Sequence, residues 1–344
     1  MIGRTQVSVL SGLFVTQLVH AADTVKENEP SSSKANPALC VVVMVLLLGL
    51  VGGYAYHMFY RSEKGKQAFE EAFSVSTNSA GQMIHLGETR YASLPRQTLL
   101  VYRVLVSVLL FATWLEIEFS SAGFQWQTYT FWNFTIINLF FLFGIVQSVR
   151  AYRTDKQATM EEELAYGMYR ATKVNKIHAI LGTIALSTCL LVTGVVWLVL
   201  YPNLKAFDPK KAAEKFLSYN SIIQHVFNSV FLLADFFLSN MRVVRGLMVC
   251  VLLWPVLYSY VFATVWFTTN PHFAVYPFLR LDGPISPLLF LGLFLLHAGL
   301  CEMFVQISIC KEGKPVCGRK GPGDATYDQL DGDGPGAESG ADLL

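Results

Sequence analysis

The sequence predicts an all-α protein, a polytopic membrane helix bundle with seven transmembrane helices. Of its 344 residues, 53% are hydrophobic and only 15% are charged, whereas soluble domains carry about 25% charged residues. The hydrophobic residues are concentrated in runs close to the roughly 20 residues that a helix needs to cross a bilayer. The net charge of +1 and the lack of basic runs argue against a nucleic-acid partner.

The apolar runs divide the chain into one isolated span and a group of six. The predicted spans are Leu39–Tyr60, Thr98–Phe119, Tyr129–Val149, Ile177–Tyr201, Tyr219–Asn240, Val244–Phe267 and Pro284–Ile309. The predicted organisation is a signal peptide and disordered lumenal tail (1–38), an N-terminal transmembrane helix (39–60), a cytoplasmic loop (61–97), a six-helix membrane core (98–309) and a disordered cytoplasmic tail (310–344).

Charge asymmetry orients these spans. The loops on the side of residues 61–97 and the C-terminal tail carry 17 Lys and Arg residues, against 8 on the opposite side, which predicts that the first group is cytoplasmic. In the tail, Tyr327–Leu330 fits the Tyr-x-x-hydrophobic form of sorting signals. This motif predicts a sorting adaptor as partner and a plasma-membrane or endosomal location. If no adaptor binds the motif, the alternative location is the endoplasmic reticulum.

The fifth predicted span carries an unusual polar stripe. At about 100° per residue, five polar residues of Tyr219–Asn240 fall within roughly 80° of one another on a helix. They are Ser221, His225, Asn228, Asp235 and Ser239. Because unpaired polar groups are costly in lipid, this stripe is expected to face the bundle interior. It is either a buried functional site or a set of hydrogen bonds between helices.

Thr130 and His225 are a candidate nucleophile and base. Each follows the start of a span on the non-cytoplasmic side, so their depths in the membrane are similar. Asn133 follows Thr130 at i+3, on nearly the same helix face. A hydroxyl beside an imidazole can act as a nucleophile with its general base. Alternatively, the Thr130 hydroxyl bonds only to its own backbone.

Three charged residues inside or near the ends of spans predict a structural ion cluster. Arg103, Asp235 and Glu302 all lie toward the cytoplasmic side, and charges at membrane depth usually pair with one another. A metal site is not predicted. Ser221 and His225 make the S-x-x-x-H spacing of alkaline ceramidases, but none of the seven histidines makes the H-x-x-x-H spacing that accompanies it. No cofactor is predicted either.

Several motifs resemble those of one membrane-protein family. Trp126–Asn133 (WQTYTFWN) is similar to W-x-Y-L-T-x-x-N, with Thr128 and Tyr129 in place of the Tyr and Leu. His225-x-x-Asn228, with Asp235 ten residues after the histidine, matches H-x-x-N-x(6)-D. Val275–Leu279 reads VYPFL, and Val196–Pro202 ends in YP. Together they resemble the androgen-induced gene 1 and androgen-dependent TFPI-regulating protein family, including its rolling-stone relatives.

The resemblance covers the six spans of residues 98–309 and implies two functions. The androgen-induced members are similar to hydrolases of fatty acid esters of hydroxy fatty acids, which places a Thr nucleophile at Thr130 and a His base at His225. Membrane lipids and a lipid ester would then be the partners, with Asn133 and Asn228 supporting the oxyanion. Asn228 and Asp235 instead match the rolling-stone branch, which implies a non-enzymatic protein of adhesion, fusion or transport.

Overall fold

A computed structural model gives the fold of part of the chain. The described residues are 37–63, 65–66, 76–77, 83–84, 95–153, 173–269, 275–276, 279–283 and 285–311. The predicted signal peptide, most of the loop 61–97, and the C-terminal tail with Tyr327–Leu330 lie outside them. Those assignments therefore stay predictions.

The described part consists of helices and one small hairpin. The helices are α1 (Pro37–Tyr56), α2 (Arg96–Ser121), α3 (Tyr129–Arg153), α4 (Lys173–Val195), α5 (Tyr201–Phe207), α6 (Pro209–Phe216), α7 (Tyr219–Ile222), α8 (Asn228–Leu238), α9 (Met248–Thr268) and α10 (Ser286–Lys311). π-helical turns lie at His57–Arg61, Val196–Leu200 and Ile223–Phe227, and 3₁₀ turns at Phe124–Gln127 and Arg245–Leu247. Strands β1 (Ser76–Thr77) and β2 (Met83–Ile84) pair antiparallel, with Ser76 opposite Ile84.

Seven helical segments of the described part are long and apolar enough to cross a membrane, which confirms the predicted all-α polytopic bundle. They are Ala38–Tyr56, Gln97–Ser121, Tyr129–Ala151, Lys173–Phe207, Tyr219–Leu238, Arg245–Thr268 and Ser286–Lys311. The protein is therefore a multi-pass integral membrane protein. Each segment overlaps one predicted span.

The largest differences from the predicted spans lie on either side of residue 210. The fourth segment continues through a π-helical turn to Phe207, six residues past the predicted end at Tyr201. The short helix α6 was not predicted; the side chain of Asp208 caps it by accepting a hydrogen bond from the Lys211 backbone N–H at 2.9 Å. The fifth span is divided into α7 and α8 by the π-helical turn Ile223–Phe227, and the helix ends at Leu238.

Contacts between helix ends show that consecutive spans run antiparallel. The start of α2 meets the end of α3 where Arg103 donates to Ser148, and the end of α3 meets the start of α4 where Gln147 donates to Asn175. We call this end of the bundle the lower end. At the opposite, upper end, the Cys40 thiol at the start of α1 contacts the carbonyl of Leu281, which precedes α10.

Several of the largest buried side chains of the core are aromatic residues of α3, α8 and α10. Phe131, Phe134, Phe140, Phe236 and Phe304 are at most 1% exposed and belong to one continuous apolar cluster. Such rings bury large apolar areas and pack edge-to-face, as Phe236 and Phe304 do with ring centroids 5.8 Å apart. This packing fixes α3, on which Thr130 and Asn133 lie.

Candidate functional site

A cavity of about 90 Å³ lies in the upper half of the bundle. Its wall is almost entirely apolar and comes from α1, α3, α4, α9, α10 and the segment before α10. Six residues of this wall carry polar side-chain atoms, and four of them form two hydrogen-bonded pairs, Tyr129 with His297 and Thr130 with Tyr276. The other two, Tyr258 and Ser259, donate their hydroxyls to backbone carbonyls. We call it the upper cavity. Ligand sites of proteins commonly combine an apolar wall with a few placed polar groups.

The first polar pair of the upper cavity joins Thr130 to Tyr276. The hydroxyl of Thr130 lies 3.4 Å from the phenol oxygen of Tyr276, and the Thr130 backbone N–H donates to the same oxygen at 3.4 Å. Burial raises the pKa of the Tyr276 phenol above its usual 10.0. Tyr276 therefore stays protonated at neutral pH and remains a hydrogen-bond donor beside the Thr130 hydroxyl.

The second polar pair joins Tyr129 to His297. The Tyr129 hydroxyl and His297 Nε2 are 2.7 Å apart, and His297 Nδ1 lies 2.7 Å from the Leu293 carbonyl oxygen. Because a carbonyl only accepts, Nδ1 carries the proton of the neutral imidazole, and Nε2 accepts from Tyr129. The imidazole that borders the cavity with Thr130 is thus already hydrogen-bonded on both ring nitrogens.

His225 lies in the π-helical turn between α7 and α8, and this turn packs against α3 and α4. The residue is 8% exposed, and its Nδ1 has no hydrogen-bond partner among the described residues. Its backbone carbonyl accepts from the Thr193 hydroxyl of α4 at 2.7 Å. π-Helical turns inside α-helices are frequent at functional sites.

The turn around His225 is rich in buried polar groups that lack partners. Within the part of the chain that the structure describes, they are Asn220 Oδ1, Ser221 Oγ, Gln224 Nε2, His225 Nδ1 and Asn228 Nδ2. Buried polar groups in proteins are nearly always satisfied, by protein or by water. The predicted polar stripe therefore faces the protein interior at this level, and its unpaired groups indicate a place where water or a polar ligand is held.

In the side-chain amides of Asn133 and Asn228, the oxygen accepts a hydrogen bond. Asn133 Oδ1 accepts from the Thr188 hydroxyl of α4, whereas Asn228 Oδ1 accepts from the backbone N–H of Ser229 at 2.5 Å. Both side chains are fully buried, and neither NH₂ group has a partner in the described part of the chain. Each amide can therefore still donate hydrogen bonds to a negatively charged oxygen.

The structure does not link Thr130 and His225 by a hydrogen bond. The Thr130 hydroxyl is bonded to Tyr276, and the imidazole in the wall of the upper cavity belongs to His297. The helix of Thr130 and the turn of His225 are nevertheless in contact. The catalytic pair stays a prediction, now with Tyr276 and His297 as additional residues beside the hydroxyl.

At the lower end, Arg103 and Asp235 form a bidentate ion pair in which both side chains are fully buried. Arg103 Nε and Nη2 donate to the two carboxylate oxygens of Asp235 at 2.6 and 2.9 Å. Nη1 donates to the Gly144 carbonyl at 3.0 Å and to the Ser148 hydroxyl at 2.9 Å. This group ties α2, α3 and α8 together, which is a structural role.

Glu302, which the sequence predicted in the same cluster, lies elsewhere. It binds the guanidinium of Arg245, with Arg245 Nε 2.9 Å from Oε2. Arg245 is the first residue of the sixth segment, where it starts the 3₁₀ turn that precedes α9, and from there it reaches Glu302 of α10. The ion cluster of three predicted residues is therefore a buried pair and a separate, largely exposed pair.

The sequence offered only partial signals for the residues that were missed. Tyr276 belongs to the VYPFL motif, whose role was not assigned, and His297 is the one histidine of the last predicted span. Tyr129 stands where the motif W-x-Y-L-T-x-x-N has leucine, so the motif gives no role for its hydroxyl. Among the described residues, no three His, Cys, Asp or Glu side chains gather as metal ligands.

Comparison of the chain with protein-family models, curated proteins and solved structures finds no match in any of the three. The seven-helix membrane fold and the geometry of the upper cavity are therefore the basis for a function.

Proposed function

We propose that the protein is a multi-pass membrane lipid-ester hydrolase that uses Thr130 as its nucleophile. The observation that carries this proposal is a threonine hydroxyl beside a protonated phenol on the wall of an apolar cavity. An acyl chain fits an apolar wall, whereas an ester carbonyl needs a nucleophile and a donor at one place.

In the proposed reaction, Thr130 Oγ1 attacks the ester carbonyl carbon, and the hydroxyl proton passes to His225. The carbonyl oxygen becomes an oxyanion, which Tyr276 and the free amide NH₂ of Asn133 stabilise. Collapse of this intermediate breaks the bond to the alcohol, which takes the proton from His225. Water then hydrolyses the acyl-threonine, and the unpaired polar groups near Asn228 supply a place to hold that water.

Replacing Thr130 by valine tests the nucleophile. Valine keeps the shape of the side chain and removes the hydroxyl, so ester hydrolysis by the purified, reconstituted protein should fall by on the order of 10³-fold or more. Labelling by an activity-based serine/threonine-hydrolase probe should disappear as well. Thr264→Val is the matched control, because Thr264 is an exposed threonine of α9 that bonds its own helix backbone. Full probe labelling of Thr130→Val would contradict the proposal.

Replacing each histidine by glutamine tests the base. His225→Gln should lower turnover by about 10²–10⁴-fold, as expected for loss of a general base. His297→Gln should have a smaller effect, because His297 Nε2 is already occupied by Tyr129. Turnover should be measured for both variants at equal amounts of folded protein. If only His297→Gln loses activity, His297 is the base and Tyr129 must release it during the reaction.

A second candidate function is a non-enzymatic membrane protein of adhesion, fusion or transport. The observation in its favour is that several polar side chains tie helices together: Thr193 bonds the Ser229 hydroxyl at 2.8 Å, and Thr188 bonds Asn133. In that case the polar stripe serves packing, and Thr130→Val would be silent in every lipid assay. The membrane in which the protein resides, and the sorting role of Tyr327–Leu330, stay predictions.

A further inference from the structure

Helix α1 buries one narrow stripe and exposes the rest of its surface. Cys40, Met44, Leu47 and Val51 are at most 7% exposed and recur every three or four residues, which places them on one helix face. Leu46 is 60% exposed and points away. The buried stripe packs on α9 and α10, and the Cys40 thiol bonds the Leu281 carbonyl at 3.4 Å.

Two residues of this stripe belong to the wall of the upper cavity. Met44 and Leu47 line it together with Val256 of α9 and with Phe294 and His297 of α10. Because α1 lies on the outside of α9 and α10, its side chains close the cavity on the side that faces lipid. Helix α1 lies outside the six spans that carry the family resemblance, and it nevertheless completes the wall of the candidate site.

The polar side-chain atoms of the cavity wall all come from outside α1. They belong to Tyr129 and Thr130 of α3, Tyr258 and Ser259 of α9, His297 of α10 and Tyr276, whereas α1 contributes only a thioether and an aliphatic side chain. The long helices that line the cavity are all apolar enough to cross a membrane. A ligand matched to this wall has one polar group and a hydrocarbon tail.

We propose that α1 is the acyl-chain wall of the upper cavity, and that Met44 and Leu47 limit the length of the lipid chain bound there. The ligand is the acyl chain of a membrane lipid, with its carbonyl group toward Thr130 and its methyl end toward α1. The position of the carbonyl rests on the proposed hydrolase, but chain binding against α1 does not.

Substituting Leu47 by phenylalanine tests this wall, and Leu46→Phe on the lipid-facing side of the same helix is the matched control. A diazirine-bearing palmitate is photocrosslinked to the full-length protein in detergent, with unlabelled palmitate as competitor. Each methylene that can no longer be buried weakens binding about fourfold, so Leu47→Phe should weaken competable labelling by about four- to fifteenfold. Leu46→Phe should leave it unchanged.

Chain-length preference gives a second measurement. With short- to long-chain p-nitrophenyl esters, Leu47→Phe should shift the preferred substrate to shorter chains, and Met44→Ala should extend it to longer ones. Met44→Ala also covers the case in which Leu47→Phe does not fold, since it enlarges the cavity and should strengthen competition by longer fatty acids.

The outcomes separate this inference from the proposed function. Competable labelling that weakens in Leu47→Phe, in a protein without hydrolysis, would end the hydrolase proposal and support the wall. Suppose that hydrolysis needs Thr130 but the chain-length profile is the same in Leu47→Phe, Met44→Ala and Leu46→Phe. This result would contradict the proposal that α1 limits the acyl chain, and it would leave the hydrolase proposal intact. An absence of competable labelling in the wild-type protein would also contradict the proposal that an acyl chain binds against α1.

Discussion

Replacing Asp235 by alanine should lower the free energy of unfolding by about 3–5 kcal/mol, the cost typical of removing one partner from a buried ion pair. Arg103 would keep its hydrogen bonds to Gly144 and Ser148 but would leave a fully buried guanidinium without its counter-charge. A loss of this size is a large part of the stability of a typical domain. We therefore expect a low yield of monodisperse protein and a clearly lower thermal midpoint.

Glu302→Ala is the control for this prediction. The Arg245–Glu302 pair is exposed, with side-chain exposures of 64% and 36%, and exposed ion pairs contribute about 0–1 kcal/mol. Its removal should hardly change the thermal midpoint. The double change of Arg103 and Asp235 to leucine should be less harmful than Asp235→Ala alone, because no charge is left buried. Equal losses in Asp235→Ala and Glu302→Ala would contradict a special role for the buried pair.

The Arg103–Asp235 ion pair is a contact that the sequence of this protein is sufficient to predict. Arg103 is the one Lys or Arg well inside a predicted span, and the stripe containing Asp235 had to turn inward, so few partners were available to either residue. Gly144 favours this close approach, because a Cβ there would lie 3.2 Å from Arg103 Cδ and from His178 Nε2, and these side chains would have to move by a few tenths of an ångström. This contribution of Gly144 arises from the packing of three helices and has no local sequence signature.

Glu302 illustrates why the rest could not be predicted. Its depth along α10 is compatible with several partners, and the choice of Arg245 depends on the 3₁₀ turn that begins α9. The upper cavity has the same origin. Thr130 and Tyr276, which meet at its wall, are separated by 146 residues in the sequence. Met44 reaches the same wall from α1, a helix in which no motif was recognised. Helical periodicity gives the face of a residue but not its neighbour across the bundle.

Replacing Tyr276 by phenylalanine should lower ester hydrolysis by about 10²–10³-fold, the loss seen when one oxyanion donor is removed. The phenol oxygen lies within hydrogen-bond distance of the Thr130 hydroxyl, at 3.4 Å, and phenylalanine removes only that oxygen. The effect should fall on kcat, because a donor to the oxyanion acts more strongly in the transition state than in the bound substrate. Steady-state kinetics of the reconstituted variant against wild type measure this split.

Tyr260→Phe is the matched control, because Tyr260 is a 39% exposed tyrosine of α9 and its change should leave kcat unaltered.

The pH dependence gives a further test of the donor role. Burial raises the pKa of Tyr276 above 10.0, so the phenol keeps its proton as the pH rises and the donor is lost only in strongly alkaline solution. The ratio of wild-type to Tyr276→Phe turnover should therefore stay constant between about pH 6 and about pH 9. A ratio that falls toward one across this range would mean that the phenol ionises there, and a KM effect without a kcat effect would make Tyr276 a substrate-binding residue instead.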